Sequence, residues 1–175
     1  MSKIFDTQLR GIFDRINAQE EQFEMAARLL AQAIMTEGEI YIKSFDEANF
    51  FNDYLLNSQE KLPKSKYYQG EHLTSADRIM VIAPHYTDQV HEMVAYLEEA
   101  SIDYVLICNK SSEMIDSIMH FIDLKTSRAI VPNESYEKFI TPHLMAINYV
   151  YYKLYILLEE MGCIDLNDYS SSERR

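Results

Sequence analysis

Glycine is scarce in this chain: 175 residues contain four, Gly11, Gly38, Gly70 and Gly162. They form neither G-x-G-x-x-G nor G-x-x-x-x-G-K-[ST], so both glycine-rich phosphate loops are excluded. A phosphate site here has to use Ser and Thr hydroxyls, backbone N–H groups and helix N-termini. Cysteine is scarcer still. Cys108 and Cys163 make no C-x-x-C, which excludes a disulfide framework or a cysteine zinc site and points to a cytoplasmic setting. Positive charge is also short: 16 Lys and Arg face 28 Asp and Glu, a formal net charge of −12. Such a surface repels phosphate backbones and anionic lipid, so neither nucleic acid nor membrane is an expected partner. No H-x-x-H, H-E-x-x-H or carboxylate-rich calcium loop occurs, so no metal and no cofactor are expected. There is no G-x-S-x-G nucleophile elbow. The opening MSKIFDTQLRG lacks an apolar h-region, so no signal peptide is expected.

What is present reads as an ordinary soluble domain, 47% apolar and 25% charged. Residues 15–36 repeat apolar side chains at helical spacing (Phe23, Ala26, Ala27, Leu30, Ile34), with Gly38 as the stop. Residues 3–13 read as a second short helix, or as an extension of the first broken near Gly11. Residues 39–43 form the first β-rich run, 44–57 return to helical composition, and 66–69 suit a short edge strand. The clearest stretch is 77–110. Two continuous apolar runs, 78–83 and 104–108, flank a helix carrying Val90, Met93, Val94 and Leu97. That is a βαβ unit, and unbroken apolar strands imply a parallel sheet covered on both faces. The pattern continues with a helix through Met114, Ile115, Ile118, Met119 and Ile122, then a strand at 129–131. Thr141 as N-cap and Pro142 at N1 open a last helix running to about Met161. This helix is apolar almost all round, too short and interrupted to span a membrane, and in need of cover on more than one side. The expected fold is α/β: a three-layer αβα sandwich of about five parallel strands. Residues 1–164 form one domain, 1–37 a helical arm at its N-terminus, and 165–175 a frayed tail. Tyr149, Tyr151, Tyr152 and Tyr155 suggest an interface stripe, so a homodimer through the first and last helices is expected.

The order of elements, with helices before the first strand and a long last helix, resembles the SIS (sugar isomerase) domain. In that family the first strand ends in a Gly-rich turn and the next in a cluster of form S-x-S-G-x-T. The matching runs here are IYIKSFDE at 40–47 and IAPHYTDQ at 82–89. The resemblance covers residues 15–161. The run TPHLMAINY at 141–149 also makes the chain similar to uncharacterised Gram-positive proteins described as phosphoheptose isomerases. The resemblance implies a small phosphorylated sugar or related anion as ligand and, if the chain is an enzyme, aldose–ketose isomerisation. Some family residues are absent. The first turn keeps Ser44 without its glycines, and the second keeps Thr87 at the last hydroxyl position. The helix after the first turn carries no His, and Tyr151 stands where the last helix of the family carries a second side chain of its acid–base set.

Ligands of open parallel sheets bind outside the carboxyl ends of the strands. The candidate binding residues are therefore Lys43, Ser44, Tyr86 and Thr87, and the candidate acid–base residues are His85 and His143. Lys43 is either a point charge for phosphate or an exposed strand-end lysine. Thr87 is either an anion contact at a helix N-terminus or a plain N-cap. His85 is either a ligand-facing group or a solvated turn residue. His143, in the first turn of the last helix, is held neutral there and can serve as base or electrophile, or is simply exposed. Three functions stay open: a sugar-phosphate isomerase, a non-catalytic module sensing a phosphorylated metabolite, and a dimeric scaffold with a filled pocket.

Overall fold

The computed structural model describes residues 2–166. Two helices, α1 (Ser2–Asn17) and α2 (Glu20–Met35), precede β1 (Ile40–Ser44). A 3-10 turn (Asp46–Phe50) then leads into α3 (Phe51–Asn57), followed by β2 (Ser65–Tyr67), β3 (Arg78–Ile82), α4 (Asp88–Glu99) and β4 (Tyr104–Cys108). The chain continues through β5 (Phe121–Asp123), β6 (Val131–Pro132) and β7 (Lys138–Phe139) to α5 (His143–Glu160). Strands β1 to β5 form one parallel sheet in the order β2-β1-β3-β4-β5. The fold is the expected three-layer sandwich of five parallel strands.

Strand alternation divides the core into two clusters. Ile40, Ile42, Met80, Ile82, Val105 and Ile107 face α1, α2, α3 and α5. Tyr41, Ile79, Val81, Leu106 and Cys108 face α4. Both faces are apolar because both are covered, as a parallel sheet requires. The sheet changes direction once. From β1 the chain steps out to β2, then returns across β1 to β3. The carboxyl ends of β1 and β3 lie side by side in register, Ser44 opposite Ile82. That is the switch point where the crossovers diverge and leave a crevice.

Several local expectations are corrected. The first helical break falls at Ala18–Gln19, and α1 runs through Gly11. The Gln19 side chain has another use: its amide donates to the Asp123 carbonyl at 2.8 Å and accepts the Asp123 N–H at 2.9 Å. This pairs the free edge of β5, which would otherwise be open to another strand. Gly38 is required by close approach: a Cβ there would sit 1.9 Å from the Ala76 carbonyl oxygen. Helix α2 itself is capped at Thr36. The helix expected over 111–122 does not form. Residues 111–120 are turns that press Met114, Ile115 and Ile118 onto the α4-side core, and Phe121–Asp123 is the fifth strand. The connection from β4 leaves room to bury those side chains by turns alone, and Ile122 is taken by the sheet. Residues 129–131 contribute only to a small antiparallel hairpin, with Val131 opposite Phe139. Pro132 in that strand has no N–H to donate to a ladder.

The last helix starts one residue later than the Thr141 cap predicts. Pro142 occupies the cap position and no side chain caps it. Its tyrosines do not form one stripe. Tyr151 and Tyr155 are core residues, Tyr149 stacks on Phe13 with centroids 4.4 Å apart, and the Tyr152 hydroxyl meets that of Tyr54. Residues two apart on a helix point about 200° from each other, so this set cannot share a face. Met145, Tyr152 and Ile156 remain as the exposed apolar line of α5. Among the described residues, no helix is long and apolar enough to cross a membrane. Most of the expected tail, residues 167–175, lies outside the described residues.

Candidate functional site at the carboxyl rim

The carboxyl rim of the sheet has two sides, one under α5 and one under α4. Each holds some of the residues singled out from the sequence.

On the α5 side, Asn109 follows β4 directly. Its amide donates to the Pro84 carbonyl at 2.7 Å and to Thr126 Oγ1 at 2.9 Å. Its carbonyl oxygen accepts the Thr126 N–H at 2.7 Å. Thr126 Oγ1 is in turn 2.7 Å from His143 Nδ1. Since Thr126 Oγ1 accepts from Asn109, its own proton is free for the imidazole. The neutral tautomer with Nδ1 accepting and the proton on Nε2, toward Glu47, fits both neighbours. Glu47 Oε1 lies 3.7 Å from Nε2. Burial holds the His143 pKa below the usual value, Glu47 pulls it back up, and His85 lowers it further. His143 is 3% exposed. It is a buried neutral histidine in a nearly complete hydrogen-bond chain, not an exposed first-turn residue. His85 is exposed, with its ring edge-on to His143 at 4.9 Å between centroids. The structure brings the two candidate acid–base histidines together. Ser44 shares the strand face of Ile40 and Ile42. It is 2% exposed, and its hydroxyl has no hydrogen-bond partner.

On the α4 side, Lys43 points the other way along β1. Its ammonium lies 5.3 Å from the Phe45 ring centroid and 5.7 Å from that of Tyr67. Among the described residues it has no ion-pair partner. An open hollow of about 640 Å³ lies beside it, lined also by Asn49, Gln89, Glu92 and Tyr96. Asp46, at its edge, adopts φ +53°, a left-handed conformation that Asp tolerates better than most residues. The turn after β1 thus holds one left-handed residue that is not glycine. Tyr86 is not at the surface of this hollow. It is buried in the α4-side core, and its hydroxyl meets His91 Nδ1 at 3.0 Å. Thr87 is the N-cap of α4, accepting the Val90 N–H at 3.4 Å, and Asp88 occupies the first turn. Cys108 is buried, and burial pushes its thiol up to about 12. The described residues contain no group of three or more His, Cys, Asp or Glu placed to hold a metal ion.

A family profile described as a domain of unknown function, DUF2529, matches residues 1–162. The chain belongs to the DUF2529 family. It is similar to the uncharacterized protein YwjG of Bacillus subtilis (strain 168), with 33% identity over 168 residues, covering 92% of this chain and 97% of that protein. This DUF2529 domain therefore matches YwjG over nearly the full length of both.

Sequence reasoning named His85, His143, Lys43 and Ser44 but missed Thr126, Glu47 and the part played by Asn109. One signal was available: a polar Asn directly after an apolar strand run must satisfy its amide at the rim. Thr126 gave none, because it lies in a loop whose position was misread.

Proposed function

We propose that this chain is a phosphosugar-binding module that takes its ligand in the hollow between β1 and α4. The observation that carries this reading is Lys43: a cation braced by two aromatic rings, with no ion-pair partner among the described residues, at the sheet's switch point. A monophosphate is its natural counter-charge. Asn49, Gln89 and Glu92 offer donors and acceptors for sugar hydroxyls, and the Tyr67 and Tyr96 rings offer apolar faces. The resemblance to SIS domains points to the same ligand class. Binding without turnover is favoured because His143, the stronger acid–base candidate, is buried and committed to Thr126. The proposed setting is the cytoplasm, where the buried free thiols of Cys108 and Cys163 stay reduced. A homodimer across the first and last helices would cover Ile4 on α1 and the Met145, Tyr152 and Ile156 line on α5.

A second reading, aldose–ketose isomerisation of the same ligand, draws on the exposed ring of His85 beside His143. The two readings separate in one experiment. Amide chemical shifts are followed by NMR while ribose 5-phosphate, glucose 6-phosphate and their unphosphorylated sugars are added. The binding reading predicts shifts at 43–49 and 89–96 with a phosphorylated sugar only, and no exchange of its C2 proton with D₂O. Exchange that stops in His85→Ala would transfer the conclusion to the isomerase. Shifts absent with every sugar phosphate would contradict both.

A further inference from the structure

We infer that the chain carries another anion site, independent of the β1–α4 hollow: a cationic cavity that takes a small molecule bearing two phosphoryl groups. The cavity, about 390 Å³, opens beside the ends of β4 and β5. Five cations line it: Arg15 from the last turn of α1, Lys110 after β4, Lys125 and Arg128 after β5, and Lys138 of β7. Asp123 is the one carboxylate among the lining residues. The whole chain holds more carboxylates than cations, 28 against 16, so five to one is the reverse of what this surface would supply by composition.

Asp123 does not neutralise the cluster. Its Oδ1 accepts the backbone N–H groups of Lys110 and Lys125, at 3.2 and 3.1 Å, and its Oδ2 pairs with the Lys125 ammonium at 3.0 Å. Arg15, Lys110, Arg128 and Lys138 have no ion-pair partner among the described residues. Lys125 stands at φ +57°, a left-handed conformation that costs a lysine free energy. The same Asp123 carboxylate holds it there from both ends, and Gln19 holds Asp123 through its backbone. The loop is therefore braced in the form that gathers the cations. Clustered like charges in a concavity repel one another and focus a positive field into it, which an anion relieves.

The size of the charge selects the ligand. A phosphoryl group carries about −1.5 to −2 near neutral pH. Four unpaired cations call for two such groups. The volume suits a small molecule rather than a polymer. The shared chemistry is a diphosphate or bisphosphate. Its sources are inorganic pyrophosphate, a sugar bisphosphate or a nucleoside diphosphate.

Isothermal titration calorimetry on the full chain tests this. The probes are inorganic pyrophosphate, fructose 1,6-bisphosphate and adenosine diphosphate, with inorganic phosphate as reference. At least one of the three should bind tighter than phosphate by about tenfold or more, and weaken as salt is raised. The tightest of them names the source. The exposed pair Arg128→Gln and Lys138→Gln should weaken that probe by about tenfold or more, while circular dichroism shows the fold kept. Lys43→Gln should leave pyrophosphate binding unchanged, which separates this site from the hollow, whose proposed ligand is a sugar phosphate. Three diphosphates binding no tighter than phosphate would overturn the inference. So would an affinity indifferent to the Arg128 and Lys138 substitutions.

Discussion

The two sides of the carboxyl rim use polar residues in opposite ways. Under α5, Asn109, Thr126 and His143 are buried and bonded to one another, and the His143 Nε2, 3.7 Å from Glu47, is the capacity this chain leaves for a ligand. Under α4, Lys43 stands in an open hollow with no ion-pair partner among the described residues. A buried, satisfied chain fixes geometry, because breaking it strands polar atoms away from water. An open, unsatisfied cation leaves interaction energy for a ligand. The more conspicuous histidine thus reads as the structural element, and the plainer lysine as the binding one.

Substitutions in the Asn109–Thr126–His143 chain should cost stability and leave binding alone. The largest effect is expected for Asn109→Ala, which removes three buried hydrogen bonds and strands the Thr126 N–H. Urea unfolding should show a loss of about 3 kcal/mol. A loss below about 1 kcal/mol would mean that water replaces the amide and the rim is wetter than described.

Next comes the pH dependence. Burial lowers the folded-state pKa of His143, and that of His120 likewise. As pH falls below about 6.5 the unfolded chain takes up these protons before the folded one does, so stability declines with acidification. His143→Gln should remove part of that slope, with His120 supplying the remainder. An unchanged slope would show that the His143 imidazole is solvated in the folded protein.

Thr87→Ala should cost about 1 kcal/mol through loss of the α4 cap. It should leave ligand binding intact, because the hydroxyl is already engaged by Val90. The smallest effect is expected at Ser44. Removing its unpartnered buried hydroxyl in Ser44→Ala should stabilise the free protein by a few tenths to about 1 kcal/mol. Destabilisation there would instead reveal a water or ligand bonded to Oγ.

The sheet from β1 to β4 was legible in the sequence. Strands β3 and β4 are continuous apolar runs, β1 is a short β-rich run after a helix stop, and the α4 face repeats at i, i+3, i+4 and i+7. Residues 109–142 were not legible. Met114, Ile115 and Ile118 have helical spacing, but turns bury them as well as a helix would, and β5 is a three-residue strand defined only by its partner Leu106–Cys108. The same segment supplies part of the site. Thr126, Lys125 and Arg128 come to the rim only because β5 ends at Asp123. The cations of the β5 cavity are spread from Arg15 to Lys138, so no basic run announced them. Gly38 follows a helix and so suggests a helix stop, whereas the carbonyl it must admit belongs to Ala76, 38 residues away.

The central claim is that Lys43 holds the phosphate of a phosphosugar. Its most direct test is the affinity of wild type and Lys43→Gln for the sugar phosphate that moves residues 43–49 in NMR, measured by titration calorimetry at one salt concentration. The account predicts about tenfold weaker binding or more in the variant. It also predicts only a small loss of thermal stability, that of the two ring contacts, because among the described residues the lysine closes no ion pair. Equal affinity in the two proteins would contradict it.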